Sequence, residues 1–189
     1  MAQTRRGLRT AGGQIAKRGY TVGHGTATAD EFVALLRGAG IEAIADVRTA
    51  PGSRRNPQFG SGEMRSWLAD AGIGYHHYKA LGGWRKPRAD SPNLALRNAA
   101  FRGYADYMLT DAFAAAVDEL LGQMQAHVTA VMCSESVWWR CHRRLLADYL
   151  VLVRGWEILD LMHDGRALPH VLTAGVRLQG RYVYYDAAA

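Results

Sequence analysis

The stretch VMCSESVWWRCHRR, positions 131–144, holds both cysteines of the chain, a glutamate, a histidine, two tryptophans and three arginines. Cys133 ends an apolar, β-branched run, VTAVMC, and precedes a helical pattern, VWWRCHRRLLADYLVLV, with Ser136 as candidate cap. A thiol between a strand end and a helix start, with Arg140, Arg143 and Arg144 following, meets the conditions that favour a thiolate nucleophile. The plainer alternative is a buried cysteine acting as a small hydrophobe. Cys141 shares a helical face with Leu145 and Tyr149, so it is expected neutral and less reactive than Cys133. Glu135 must pair with an arginine or face a cleft, where it would serve as a general base.

Two other chemistries fit less well. Six residues, SESVWW, separate Cys133 from Arg140; the interval lacks glycine and carries two tryptophans, which argues against a phosphatase-like anion cradle. Cys133, Glu135, Cys141 and His142 form an alternative metal set. Adjacent residues on one helix point about 100° apart, so Cys141 and His142 are not expected to share an ion. The expectation is no metal and no cofactor.

Other reactive side chains sit in three further segments. Asp46 and Arg48 alternate with Val47 and therefore share a strand face, where Asp46 would fix an arginine and Arg48 would meet an anion. Ser53, Arg54 and Arg55 extend this basic edge. His24 stands in VGHG, where glycines let a ligand approach the backbone. The loop LGGWRKPRADSPN offers Trp84 for stacking on a base and Arg85, Lys86 and Arg88 for phosphate.

The elements between these segments alternate. Strands are expected at GYTV, IEAIADVR, IGYHHYKAL, VTAVMC and WEILDLM, with a terminal strand or hairpin in VRLQGRYVYYD. Helices are expected after Thr28, which with Glu31 makes a capping box, over EMRSWLADAG, and through residues 94–127 with breaks near Gly103 and Thr110. The order predicts a single α/β domain over 18–189, Rossmann-like, with a mainly parallel sheet flanked by helices. Ligands of such sheets bind beyond the carboxyl ends of the strands, where His24, Arg48, Lys79 and Cys133 begin their loops.

Composition narrows the partners. The formal charge is +6 over 189 residues, and residues 1–17 read as a flexible basic arm. Residues 48–102 carry ten Lys or Arg against three acids, a local excess that invites an anionic partner. No window is apolar enough for a membrane span, and the start does not read as a signal peptide. Two cysteines make no disulfide framework, which fits a reduced, cytoplasmic protein.

TVGHG, DVR, LGGWRKPRADSPN, FRGYADYM and MCSESVWWRCHRRLLAD, in this order and spacing, resemble the signatures of the bacterial family called domain of unknown function 488. The resemblance spans roughly residues 20–173 and implies an α/β fold with these motifs clustered; it implies no established activity. Gly25 stands where the family usually has serine, Ser134 where it often has alanine, and DLMH where it commonly has HI.

The residues together point to a phosphate-bearing ligand, nucleic acid or nucleotide. Asp46, Arg48, Arg54, Trp84, Arg85, Lys86, Arg140 and Arg143 are the ligand-binding candidates. Cys133 and Glu135, assisted by His24 or His142, are the catalytic ones. The rivals are a non-catalytic nucleic-acid-binding module with a structural Cys-Glu-Cys-His segment, and a thiol enzyme acting on a small acidic metabolite.

Overall fold

A computed structural model describes residues 17–52 and 54–186. The basic arm, except Lys17, and Ser53 lie outside the described residues.

Five strands run parallel: β1 (Arg18–Gly23), β2 (Ala43–Asp46), β3 (Gly74–His77), β4 (Thr129–Cys133) and β5 (Glu157–Leu161). A short β6 (Ala167–Pro169) adds antiparallel to β5, giving the order β3-β2-β4-β1-β5-β6. β6 escaped the sequence reading because three residues carry no legible alternation. The tail forms the expected hairpin, β7 (Val176–Gln179) with β8 (Tyr182–Tyr185).

Side-chain alternation along the strands builds two cores. On one face Val22, Ile44, Ala130 and Met132 pack against α1 (Ala29–Gly38) and α2 (Ser61–Asp70) through Phe32, Leu36, Met64 and Leu68. On the other, Ala45, Val47, Val131 and Cys133 pack against α3 (Ala99–Met108), α4 (Asp111–Ala126) and α5 (Arg143–Leu152). The Thr28–Glu31 capping box opens α1 as expected. The long helical run breaks at Thr110, which caps α4, and not at Gly103, which lies inside α3. A Cβ at Gly103 would stand 2.4 Å from the Arg85 carbonyl, so this glycine admits the 82–88 loop against the helix.

The topology sets where a cleft opens. β1 and β4 are neighbours, yet the helices that follow them, α1 and α5, lie on opposite faces. Their outgoing loops part at the carboxyl edge, the switch point where open α/β sheets bind ligands.

The segment after β4 differs most from expectation. The predicted helix from Val137 does not form. A 3-10 turn spans Trp138–Arg140, Cys141 is extended (φ −126°, ψ 149°), and α5 begins at Arg143. Arg143, 1% exposed, reaches back to the Glu135 carbonyl (2.6 Å) and the Ser136 carbonyl (3.2 Å). Those contacts hold the turn in a shape that helical periodicity does not encode.

Candidate functional site

The cleft at the carboxyl edge has a volume of about 630 Å³ and draws its walls from the loops after β1, β2 and β4 and from the Gly83–Trp84 segment. Two glycines allow the loops to meet. A Cβ on Gly23 would sit 1.7 Å from the Glu135 carbonyl oxygen. Gly25 takes φ 55° and faces the Ser136 hydroxyl. The β1–β4 ladder then runs on past the strands, with the His24 amide donating to the Cys133 carbonyl (3.1 Å) and the Gly25 amide to the Ser134 carbonyl (2.9 Å).

One wall is built on Arg48. Its Nε and Nη2 clasp Asp46 at 2.9 and 2.6 Å. Nη1 contacts the Phe59 carbonyl at 2.9 Å and His24 Nε2 at 3.3 Å, and Nη2 also reaches the Met64 sulfur at 3.4 Å. A guanidinium has five N–H donors, and all five are engaged. Asp46 is equally full: it also accepts from the Arg48 amide (3.0 Å) and from the Tyr75 hydroxyl (2.7 Å). His24 stacks on Phe59 at 4.1 Å and directs Nδ1 at the Gly25 carbonyl, 2.9 Å away. A carbonyl only accepts, so Nδ1 carries the proton and the Nε2 lone pair faces Arg48. Burial, followed by the Arg48 charge, lowers the His24 pKa to about 4. His24 is thus a neutral ring whose lone pair is already taken.

The floor is different. Cys133, Cys141 and His142 are 6%, 3% and 8% exposed, and all three line the cleft. His142 Nδ1 lies 3.8 Å from the Cys133 sulfur and 3.6 Å from the Cys141 sulfur. Its Nε2 stands 3.2 Å from the Val47 carbonyl and must donate to it, so Nδ1 turns a lone pair to the two sulfurs. Gly83 packs directly on this ring. A hydrogen bond from Cys141 moves the Cys133 pKa well below the usual thiol value against the cost of burial, with the Arg143 charge adding to the effect. Burial and Cys133 push Cys141 the other way. The objection that Cys141 and His142 point apart does not hold, because Cys141 precedes the helix and its extended backbone turns both side chains to one point.

The remaining residues sort by what they touch. The side chains of Arg140 and Arg55 line the cleft and make no hydrogen bond or ion pair among the described residues. Trp84 lines it too, 78% exposed, its amide held by the Thr49 hydroxyl at 3.2 Å. The Glu135 side chain is exposed at the cleft; Arg143 takes its backbone carbonyl and not its carboxylate.

Five expected ligand contacts are not cleft residues. Arg54 and Lys86 are exposed outside it. Arg85 stacks on Tyr107 at 3.7 Å and donates to the Gly82 and Ala80 carbonyls. Arg143 is buried beneath the loop. Asp46 is fully buried behind Arg48, and Lys79 also stays outside. Trp138 packs on His170 (5.1 Å), and Trp138 and Trp139 both line a second hollow of about 420 Å³.

Two buried polar clusters went unread in the sequence. Asp106 accepts from the Arg88 amide (2.8 Å), the Ser91 hydroxyl (2.6 Å) and Asn93 Nδ2 (2.9 Å), which explains most of the RADSPN stretch as a loop anchor. His170 lies between Asp148 (3.0 Å) and Asp160 (2.9 Å) with its side chain fully buried. Burial opposes its charge, but the two carboxylates prevail and raise its pKa to about 9. Asp106 lies on α3, apart from the loop it anchors, and Asp148, Asp160 and His170 stand on separate segments, so neither set of contacts follows from local spacing.

No helix among the described residues is long and apolar enough to cross a membrane. No curated protein and no solved structure matches the chain. The family described as Domain of unknown function DUF488 matches residues 28–150, which include Asp46, Arg48, Trp84, Cys133, Glu135, Cys141 and His142. With a match over more than half its length, and with the cleft built almost wholly from the matched segment, the chain belongs to the DUF488 family.

Proposed function

We propose that the cleft binds a phosphate-bearing ligand, a nucleotide or nucleic acid. The observation that carries this reading is the pairing of two uncommitted guanidinium groups, Arg55 and Arg140, with the exposed indole of Trp84 around one cavity of about 630 Å³. Guanidinium forks suit phosphate oxygens, and an exposed indole suits the face of a base. A volume of this order accommodates a nucleotide. If turnover accompanies binding, the reacting end of the cleft is that of Cys133, Glu135 and His142.

A non-catalytic binding module is the second reading, and the burial of both thiols favours it. The test is titration of a labelled mononucleotide and a labelled single-stranded oligonucleotide over a range of salt, with turnover followed separately. Affinity is expected to fall as salt rises, because phosphate contacts release counterions. Trp84→Ala is expected to weaken binding about tenfold, within the range for one stacked base. Affinity that ignores both salt and Trp84 would refute the reading. Binding without turnover of any offered substrate would select the module.

A further inference from the structure

We infer that Cys133, Cys141 and His142 bind a zinc-class divalent cation, with one coordination position open to the cleft. This goes beyond the ligand reading and does not depend on it. It replaces a free thiol nucleophile by a metal centre at the same end of the cavity.

The donor set comes first. Two sulfurs and one imidazole nitrogen, all buried, lie within 4.8 Å of one another. Thiolate and imidazole together suit zinc among the common divalent ions. Zinc–sulfur bonds of about 2.3 Å and zinc–nitrogen bonds of about 2.0–2.1 Å, at tetrahedral angles, place neighbouring donors about 3.5–3.8 Å apart. The two sulfur–nitrogen separations here are 3.6 and 3.8 Å. Both sulfur–nitrogen pairs therefore already stand at the spacing a tetrahedral ion imposes, and the two sulfurs lie within 4.8 Å of each other.

Orientation is the second argument. Metal-binding histidines usually donate their other ring N–H to a carbonyl or carboxylate, which fixes the tautomer. His142 meets that condition through the Val47 carbonyl at 3.2 Å. Its ring is held further by Gly83, where a Cβ would stand 2.4 Å from Nδ1, and by the edge of Tyr104 at 4.9 Å. The Arg143 amide points at the Cys141 sulfur from 3.5 Å, a contact that suits a bound thiolate. The ring does not need to turn to receive an ion.

The third argument concerns the open side. All three donors line the cleft, so the position they leave free faces the cavity and not the core. Three protein donors with one exchangeable position is the pattern of catalytic zinc, whereas structural zinc takes four protein donors. Glu135 lines the same cavity but lies outside the donor cluster. It is available as an acid in the cavity and is not counted as a ligand.

The test uses the untagged full chain, purified under reducing conditions without chelator. Elemental analysis is expected to give close to one equivalent of zinc per chain. Exchange with cobalt(II) is expected to produce thiolate-to-cobalt charge-transfer bands and the strong visible bands of a tetrahedral ion. Cys133→Ser and Cys141→Ser are each expected to remove most of the charge-transfer intensity, and His142→Ala to weaken affinity about 100-fold or more. Should these variants fail to fold, the wild-type cobalt spectrum still decides, since it needs no substitution. Metal-free reduced protein that develops no charge-transfer band with cobalt would overturn the inference. So would a band that survives loss of either cysteine in a folded variant. Nucleotide binding is read separately with Arg140→Ala, which is expected to keep the metal. Metal without nucleotide affinity would sink the ligand reading alone, and nucleotide affinity without metal would sink this one alone.

Discussion

The two sides of the cleft carry similar residues and differ in what those residues have left to give. On the His24–Arg48 side every donor of a buried guanidinium is matched to an acceptor, and its carboxylate partner is filled as well. On the Cys133–His142 side a lone pair and two sulfurs converge with no comparable set of partners. Arg48 and Cys133 even leave the sheet on opposite faces, one toward α2 and the other toward α5. A buried charge that is fully paired acts as a strut. Reactivity belongs to groups with unspent hydrogen-bonding or coordination capacity.

The largest expected effect follows from that contrast. Arg48→Met leaves Asp46 buried and unpaired, and removal of one partner of a buried ion pair costs about 3–5 kcal/mol. Chemical denaturation would measure it. A variant of near wild-type stability that has lost only ligand affinity would move Arg48 from strut to contact.

The next effect extends the same rule to His170, which is filled on both nitrogens. Its folded pKa of about 9 lies above the unfolded value near 6.5, so its contribution is complete below about pH 6.5. That contribution is lost as pH rises through 9. The expected loss is roughly 2–3 kcal/mol between pH 6 and pH 9.5, read from urea midpoints. His170→Gln should flatten this part of the profile; an unchanged slope would place the titration elsewhere.

Gly83→Ala probes the other side. The added methyl would press on the His142 ring from 2.4 Å, and overpacking of this kind costs about 1–3 kcal/mol. The disturbance should stay at the floor: the His142 ring resonances are expected to shift in NMR while those of His24 stay in place. Equal shifts of both rings would mean that the two sides are mechanically one.

Much of this architecture was legible from local pattern. Thr28 and Glu31 announce α1 because a capping box is a contact three residues long. Thr110 marks the start of α4 through another short contact, its hydroxyl accepting from the Phe113 amide. Apolar runs ending at Asp46 and Cys133 placed both residues at one sheet edge. What escaped depends on partners far along the chain. Arg48 is saturated by the Phe59 carbonyl and His24, which no spacing rule brings to it. α5 starts at Arg143 because that side chain ties back the preceding turn, while the residues VWWRC continue a helical pattern on paper. The Asp148–His170–Asp160 cluster joins α5, β5 and the segment before the hairpin, and none of its members has a suggestive neighbour in sequence.

The smallest effect on stability belongs to Arg140, and it gives the most direct test. Arg140 is exposed and lines the cleft, and its side chain pairs with nothing among the described residues, so Arg140→Ala should change stability by less than about 0.5 kcal/mol. If the cleft binds phosphate through its uncommitted cations, the same substitution should weaken a labelled single-stranded oligonucleotide about tenfold and reduce the salt slope by close to one. The two values, melting temperature and dissociation constant, come from one preparation. An unchanged melting temperature with the tenfold loss is the predicted result. Unchanged affinity and an unchanged salt slope in the folded variant would contradict the account.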